Sequence, residues 1–244
     1  AAGTTVSSGA TVQMRLSSLN VLEPLSLAGT LAVSDFAQNC VWSGPVTLTT
    51  PAATLHVGSD NASLRLSGVI AGAEFIASPN HDARPAGETV CLVVVHAISL
   101  PPDQFGGDGI ERLFTNRLDP AAHPYYPLIH EFRVSAHFLI RRDGHLVQFV
   151  PCGMRAWHAG VSAWSGRERC NDFSIGIELE GSDTKPFEIA QYERLAALID
   201  ALKSRYPLRE VIGHSDIAPG RKTDPGPCFD WPRLHALLAE PDGR

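Results

Sequence analysis

The pattern of apolar and polar positions changes once along the chain. Through residue 70, apolar residues alternate with small polar ones at period two, as in "PLSLAGTLAV", "PVTLTT", "ATLHV" and "ASLRLSGVI". Alternation of this kind predicts short half-buried strands, and the Gly, Asn and Pro residues between them predict turns. The strands recur at spacings that suggest a stacked β-solenoid, in which each rung covers its neighbour. Charge is sparse here: up to Ile70 only Arg15, Glu23, Asp35, Asp60 and Arg65 carry it.

From Ala71 onward the charge density rises and longer elements are expected. "VCLVVVH" (90–96) reads as a buried strand that ends on a histidine. "HFLIRRDGHLVQFV" (137–150) reads as a hairpin turning at Asp143-Gly144. "FSIGIELEG" (173–181) is a further strand. Ile189, Tyr192, Leu195, Ile199 and Leu202 fall at helical spacing and predict an amphipathic helix. "REVIGH" (209–214) then predicts a strand delivering His214. The expected architecture is α/β, a mixed central sheet flanked by helices, with an all-β repeat-like extension before it. The expected division is 1–70, with no assigned activity, and 71–244, carrying the chemistry. Functional residues in such sheets gather at strand ends and in the loops beyond.

Composition narrows the function. The 244 residues carry a net charge of −6, with 44% hydrophobic and 19% charged residues. A nucleic-acid partner is not expected, because that needs a basic face. No apolar run approaches a membrane span. "AAGTTVSSGA" has neither a basic nor an apolar leader region, so no intact signal peptide is expected. Five cysteines without a CxxC pair argue against a disulfide framework and a thiolate metal site, and favour a reducing compartment.

Three positions stand out by placement. His96 ends one buried strand, His214 ends another, and Asp224 closes "GHSDIAPGRKTDPGP" (213–227), a loop stiffened by Pro and Gly. Two imidazoles and one carboxylate with an open fourth position are the usual set of a catalytic zinc. Spacing alone leaves the alternative open, since ten histidines are present and any one of them can be structural or solvent-facing. Only three lysines occur, and one of them, Lys222, stands two residues before Asp224.

The segments "VVHAISLPPDQFGG", "HPYYPLIHEFRVSAHFLIRRDG", "VQFVPCGMRAWHAGVSAWSGRERCNDFSIGIELEG" and "GHSDIAPGRKTDPGPCFDW" resemble, in order, the AmpD family of zinc-dependent N-acetylmuramoyl-L-alanine amidases. The resemblance runs from about residue 72 to 238. It implies the fold shared with peptidoglycan recognition proteins. It implies zinc held by His96, His214 and Asp224, with Glu178 and Lys222 as catalytic groups. The residues themselves do not choose between Glu178 and Glu180, which share a face at period two. The implied substrate is a muropeptide, in the 1,6-anhydro form released during wall recycling, cut between the muramic acid and L-alanine.

Arg133 and Arg169 occupy the family's carboxylate-contacting motifs, and a planar guanidinium suits such a partner; salt bridging at the surface is the plainer role. Trp157 and His158 are candidates to line the groove, the indole having a core position as its alternative. Cys152, Cys170 and Cys228 read as packing residues. One departure stands at the first ligand: the family motif has Asn where this chain has Ala97, which removes a polar group near the substrate. A non-catalytic peptidoglycan-binding module is the competing class, and the filled ligand positions speak for the enzyme. Recycling amidases of this family work in the cytoplasm. The extension, "NVLEPLSLAGT … WSGPVTLTT … LRLSGVI", resembles repeats of secreted autotransporter-type β-helix passengers, which makes a cell-envelope or secreted location the alternative.

Overall fold

The structure is a computed structural model that describes residues 73–239 and, within 1–72, nine strand segments. The chain divides into two compact units, 1–75 and 76–244, five residues beyond the change in sequence pattern.

In the first unit, β1 (Thr4–Val6), β2 (Thr11–Met14) and β3 (Leu19–Val21) are followed by β4 (Leu25–Leu27), β5 (Thr30–Val33) and β6 (Cys40–Trp42), then by β7 (Val46–Leu48), β8 (Thr54–Val57) and β9 (Leu64–Leu66). They form three parallel sheets of order β1-β4-β7, β2-β5-β8 and β3-β6-β9. Every third strand therefore returns to the same sheet, which is the connectivity of a chain wound through three faces. The side chains of residues 1–72, Cys40 included, lie outside the described residues.

After β10 (Glu74–Phe75), at the boundary, the second unit is built on a mixed sheet whose strands run in the order β14-β13-β18-β12-β19. A short strand, β11 (His81–Ala83), leads into the central strand β12 (Leu92–Ile98). After helix α1 (Gly109–Phe114) come β13 (Phe138–Ile140) and β14 (Leu146–Gln148), the predicted hairpin, paired antiparallel. Its turn holds Gly144 at φ 82°, a value that favours glycine. β15 (Met154–Ala156) pairs with β11, and β16 (Ala163–Trp164) with β17 (Arg167–Glu168). β18 (Ser174–Glu180) lies parallel to both β12 and β13. Helix α2 (Ile189–Lys203), strand β19 (Glu210–Gly213), the single turn α3 (His214–Ile217) and α4 (Trp231–Ala239) complete the unit.

The central strands are buried on both faces, as parallel strands covered by helices must be. In β18 the period-two pattern separates Ile175, Ile177 and Leu179 from Ser174, Gly176, Glu178 and Glu180, and all seven are buried. The second set shares its face with His96 of β12 and Leu139 of β13, their register partners across the sheet. On that face Leu139 and Val147 pack with Ile110, Leu113 and Phe114 of α1, while Leu92 and Val94 pack with Phe173 and Ile217. Helix α2 lies against β13 and α4 and buries Tyr192, Leu195, Ile199 and Leu202. Each such side chain is worth roughly 1.5–3 kcal/mol relative to exposure. Ile189, placed on the same stripe by its spacing, is 60% exposed. It is the first residue of the helix, and the stripe becomes covered only from Tyr192.

Candidate active site and metal centre

The site forms where β12, β18 and β19 end on one side of the sheet. Val93, Val94 and Val95 are buried to completion, and His96 follows them on β12 at 1% exposure. β19 runs parallel to β12 and passes straight into α3, whose first residue is His214. The chain then loops out and returns, and the Ser215 N–H donates to the Asp224 carbonyl at 2.9 Å, closing the loop. Two further bonds hold that loop to the segment after β18: Thr223 Oγ1 donates to Asp183 Oδ2 at 3.0 Å and Cys228 Sγ to the Asp183 carbonyl at 3.1 Å. Gly226 sits at φ +84°, and a Cβ there would overlap the Asp183 carboxylate.

Three side chains separated by up to 128 residues meet as a result. His96 Nδ1 is 2.9 Å from His214 Nδ1 and 3.1 Å from Asp224 Oδ2, and His214 Nδ1 is 3.0 Å from the same carboxylate oxygen. Burial, the larger effect, lowers the His96 imidazole to about 4; His214 and Lys222 add to the lowering and Asp224 opposes it. The ring is therefore neutral at neutral pH. His214 Nε2 lies 3.1 Å from the Ala159 carbonyl, which can only accept, so a neutral His214 carries its lone pair on Nδ1. Two imidazole nitrogens and a carboxylate oxygen thus converge at contact distance, a donor set that fits a divalent cation of the zinc type.

Glu178 is the register partner of His96 on β18. It is 8% exposed, and its Oε2 is buried without a hydrogen-bond partner among the described residues. Desolvation pushes its carboxyl well above the usual range; the charge of Asp224 pushes the same way, and that of Lys222 opposes both. Lys222 itself is exposed, and its N–H donates to the Ala218 carbonyl at 3.1 Å. Glu180, the alternative at period two, is otherwise engaged: Arg141 Nη1 and the Gly106 N–H donate to its Oε1 at 2.9 and 2.6 Å.

A family model described as N-acetylmuramoyl-L-alanine amidase matches residues 86–227, more than half of the chain. The chain belongs to the N-acetylmuramoyl-L-alanine amidase family. The 1,6-anhydro-N-acetylmuramyl-L-alanine amidase AmpD of Escherichia coli K12 is 58% identical over 175 residues, covering 71% of this chain and 96% of that protein. The enzyme of the same description from Haemophilus influenzae is 50% identical over 169 residues, covering 68% and 92%. The crystal structure of a selenomethionine AmpD derivative superposes with a TM-score of 0.70 at 58% identity, covering 72% of this amidase and 99% of that chain.

The remaining expected residues of the amidase take different positions. Arg169 has a left-handed backbone (φ 61°), a side chain 68% exposed, and its Nε 3.3 Å from Asp172. It lines a cavity of about 540 Å³ together with Gly160, Val161, Glu168 and Arg221. Arg133 is exposed on another loop, with Nη1 donating to the Glu131 carbonyl at 3.0 Å. Trp157 is half-buried; its Nε1 donates to Asp82 at 3.3 Å and its backbone N–H to Ser135 Oγ at 3.0 Å. His158, expected along the groove, has both ring nitrogens engaged by the protein: Nδ1 is 2.9 Å from His96 Nε2 and Nε2 is 3.1 Å from Ser174 Oγ. Ala97 is half-buried next to His96 on β12. Cys152 and Cys170 are buried as expected, whereas Cys228 is partly exposed.

Sequence reasoning missed Ser174, Asn171 and Arg221. Asn171 Oδ1 accepts from the N–H groups of His158 and Ala159 at 3.2 and 2.8 Å, and Arg221 Nη2 donates to the Ala159 carbonyl at 2.7 Å. Each acts through a contact across the fold, and no local spacing marks such residues.

Proposed function

We propose that the enzyme hydrolyses the amide between the lactyl group of muramic acid and L-alanine in 1,6-anhydromuropeptides, with zinc held by His96, His214 and Asp224. The observation that carries this reading is the buried Glu178 carboxyl, one oxygen of it without a partner among the described residues, beside the three converging donors. The near-complete coverage of the AmpD relatives supports the anhydro substrate. When bound, zinc supplies the Lewis acidity that makes water a nucleophile and the amide an electrophile.

The chain's own residues do the rest. Glu178, raised by burial, takes the proton of the attacking water and hands it to the leaving amine; a carboxylate with a raised pKa suits both transfers. Lys222 brings a positive charge to the side where the oxyanion develops, a contribution of about 2.7–4 kcal/mol for a well-placed donor. Arg169 and Arg133 meet the stem-peptide carboxylates, and Trp157 offers its indole face to the sugar or peptide. Ala97 leaves that part of the groove without the family's amide group. Residues 1–70 form a separate β unit with no part in the reaction, and residues 71–244 form the catalytic domain. We place the enzyme in the cytoplasm, on the strength of four free cysteines among the described residues.

Mass spectrometry of the products from anhydromuropeptide tests the proposal. Free peptide beginning at L-alanine is expected, with loss of activity on chelation and recovery on adding zinc. Cleavage at another bond, or cleavage that persists in verified metal-free protein, overturns it.

A further inference from the structure

We infer that the His158–Ala159 dipeptide is the support that orients both histidine ligands, with His158 a positioning residue for His96. This rests on the metal centre proposed above and adds residues that the centre itself does not contain.

The direction of each hydrogen bond follows from one fixed end. The Cys170 carbonyl can only accept, and Ser174 Oγ lies 2.6 Å from it, so the single hydroxyl proton of Ser174 points there. Ser174 Oγ then has only lone pairs left for His158 Nε2, 3.1 Å away, and must accept its proton. A neutral His158 with its proton on Nε2 has a lone pair on Nδ1. That lone pair faces His96 Nε2 at 2.9 Å, so His96 donates there and keeps its own lone pair on Nδ1, the atom facing His214 and Asp224. The ring centroids of His96 and His158 are 5.0 Å apart while their nitrogens are 2.9 Å apart, so the rings meet by their edges, an in-plane N–H of one toward an in-plane lone pair of the other, with the two planes turned 87° from each other. One proton chain, anchored on a backbone carbonyl, thus selects the tautomer in which His96 can bind a cation.

The next residue does the same for the second ligand, because the Ala159 carbonyl receives His214 Nε2. The dipeptide is itself held at several points. Asn171 Oδ1 takes both of its N–H groups, and Arg221 ties down the Ala159 carbonyl. The His158 ring packs over Gly176, where any Cβ would overlap it. Sequence neighbours at positions 158 and 159 therefore set the orientation of ligands that lie 118 residues apart.

Zinc affinity, measured by competition against a chromophoric chelator, tests the inference without reference to turnover. Wild type is compared with His158→Leu, which keeps bulk but has no acceptor, and with His158→Asn, whose amide oxygen can stand in for Nδ1. Circular dichroism verifies that each variant is folded. A 10–100-fold weaker zinc affinity is expected for His158→Leu, as for other partners of ligand histidines, with substantial recovery in His158→Asn. Ser174→Ala should weaken zinc by less. Long-range ¹⁵N–¹H NMR of the zinc-loaded wild type should show His96 and His158 both protonated at Nε2. Failure of the wild type to bind zinc stoichiometrically would refute the metal centre itself. If the wild type binds zinc but folded His158→Leu binds within twofold of it, or His158→Asn is no better than His158→Leu, the positioning role is refuted.

Discussion

His96 and Glu178 stand side by side as register partners on the parallel strands β12 and β18. The pairing decides between two carboxylates that the sequence leaves equivalent. Glu180 is opposite Ile98 and is drawn into an ion pair with Arg141, whereas Glu178 is beside His96 with one oxygen unpartnered. A shift of one residue between these strands would turn Glu178 to the other face.

Replacing that carboxyl by an amide separates catalysis from metal binding. Glu178→Gln should lower kcat by about 10²–10⁴, the usual contribution of a general acid–base group, with zinc content unchanged. Steady-state kinetics alongside metal analysis of the same sample checks both halves. Loss of zinc from this variant would mean that Glu178 is a ligand.

Asp224→Ala should behave in the opposite order. It removes the charged donor from a cluster with 2.9–3.1 Å spacings, so zinc should be lost on dialysis and activity with it. Added zinc at high concentration should restore part of the rate, which it should not do for Glu178→Gln.

Glu178 also shapes stability in the metal-free enzyme. Its folded-state pKa is raised, chiefly by desolvation, so the folded protein favours the protonated form. The associated stability is fully present below the unfolded carboxylate pKa, about 4.3, and is lost as pH rises through the folded value. Metal-free Glu178→Gln should therefore match wild type in thermal midpoint near pH 4 and exceed it increasingly toward pH 8. A constant difference across that range would contradict the shift.

Arg141 bridges two carboxylates, Glu111 and Glu180, with all three side chains at 13% exposure or less. Arg141→Met leaves both acids buried without a cation, at a cost of roughly 3–5 kcal/mol. Urea unfolding of the variant should show it as a lowered midpoint. A change below 1 kcal/mol would mean that water replaces the guanidinium.

The extension should be dispensable for the reaction. About 70% of the chain accounts for more than nine-tenths of the AmpD relatives, and the alternating pattern of residues 1–70 supplies none of the converging donors. A chain starting at residue 71 should keep kcat and KM within about twofold. A larger loss would assign the β unit a part in catalysis or in folding.

Local pattern in the sequence was enough for much of the architecture. The valine run of β12, the hairpin around Gly144 and the helical stripe of α2 were legible because alternation and 3.6-residue spacing are consequences of burying one face of a short segment. His96, His214 and Asp224 were legible as candidates from strand ends and a stiff loop. Tertiary structure alone decided that their donor atoms meet, that Glu178 rather than Glu180 stands beside His96 with one oxygen unpartnered, and that the His158 ring meets His96. Strand register, side-chain tautomers and hydrogen-bond partners depend on which distant backbones lie side by side, and a linear pattern carries no record of that.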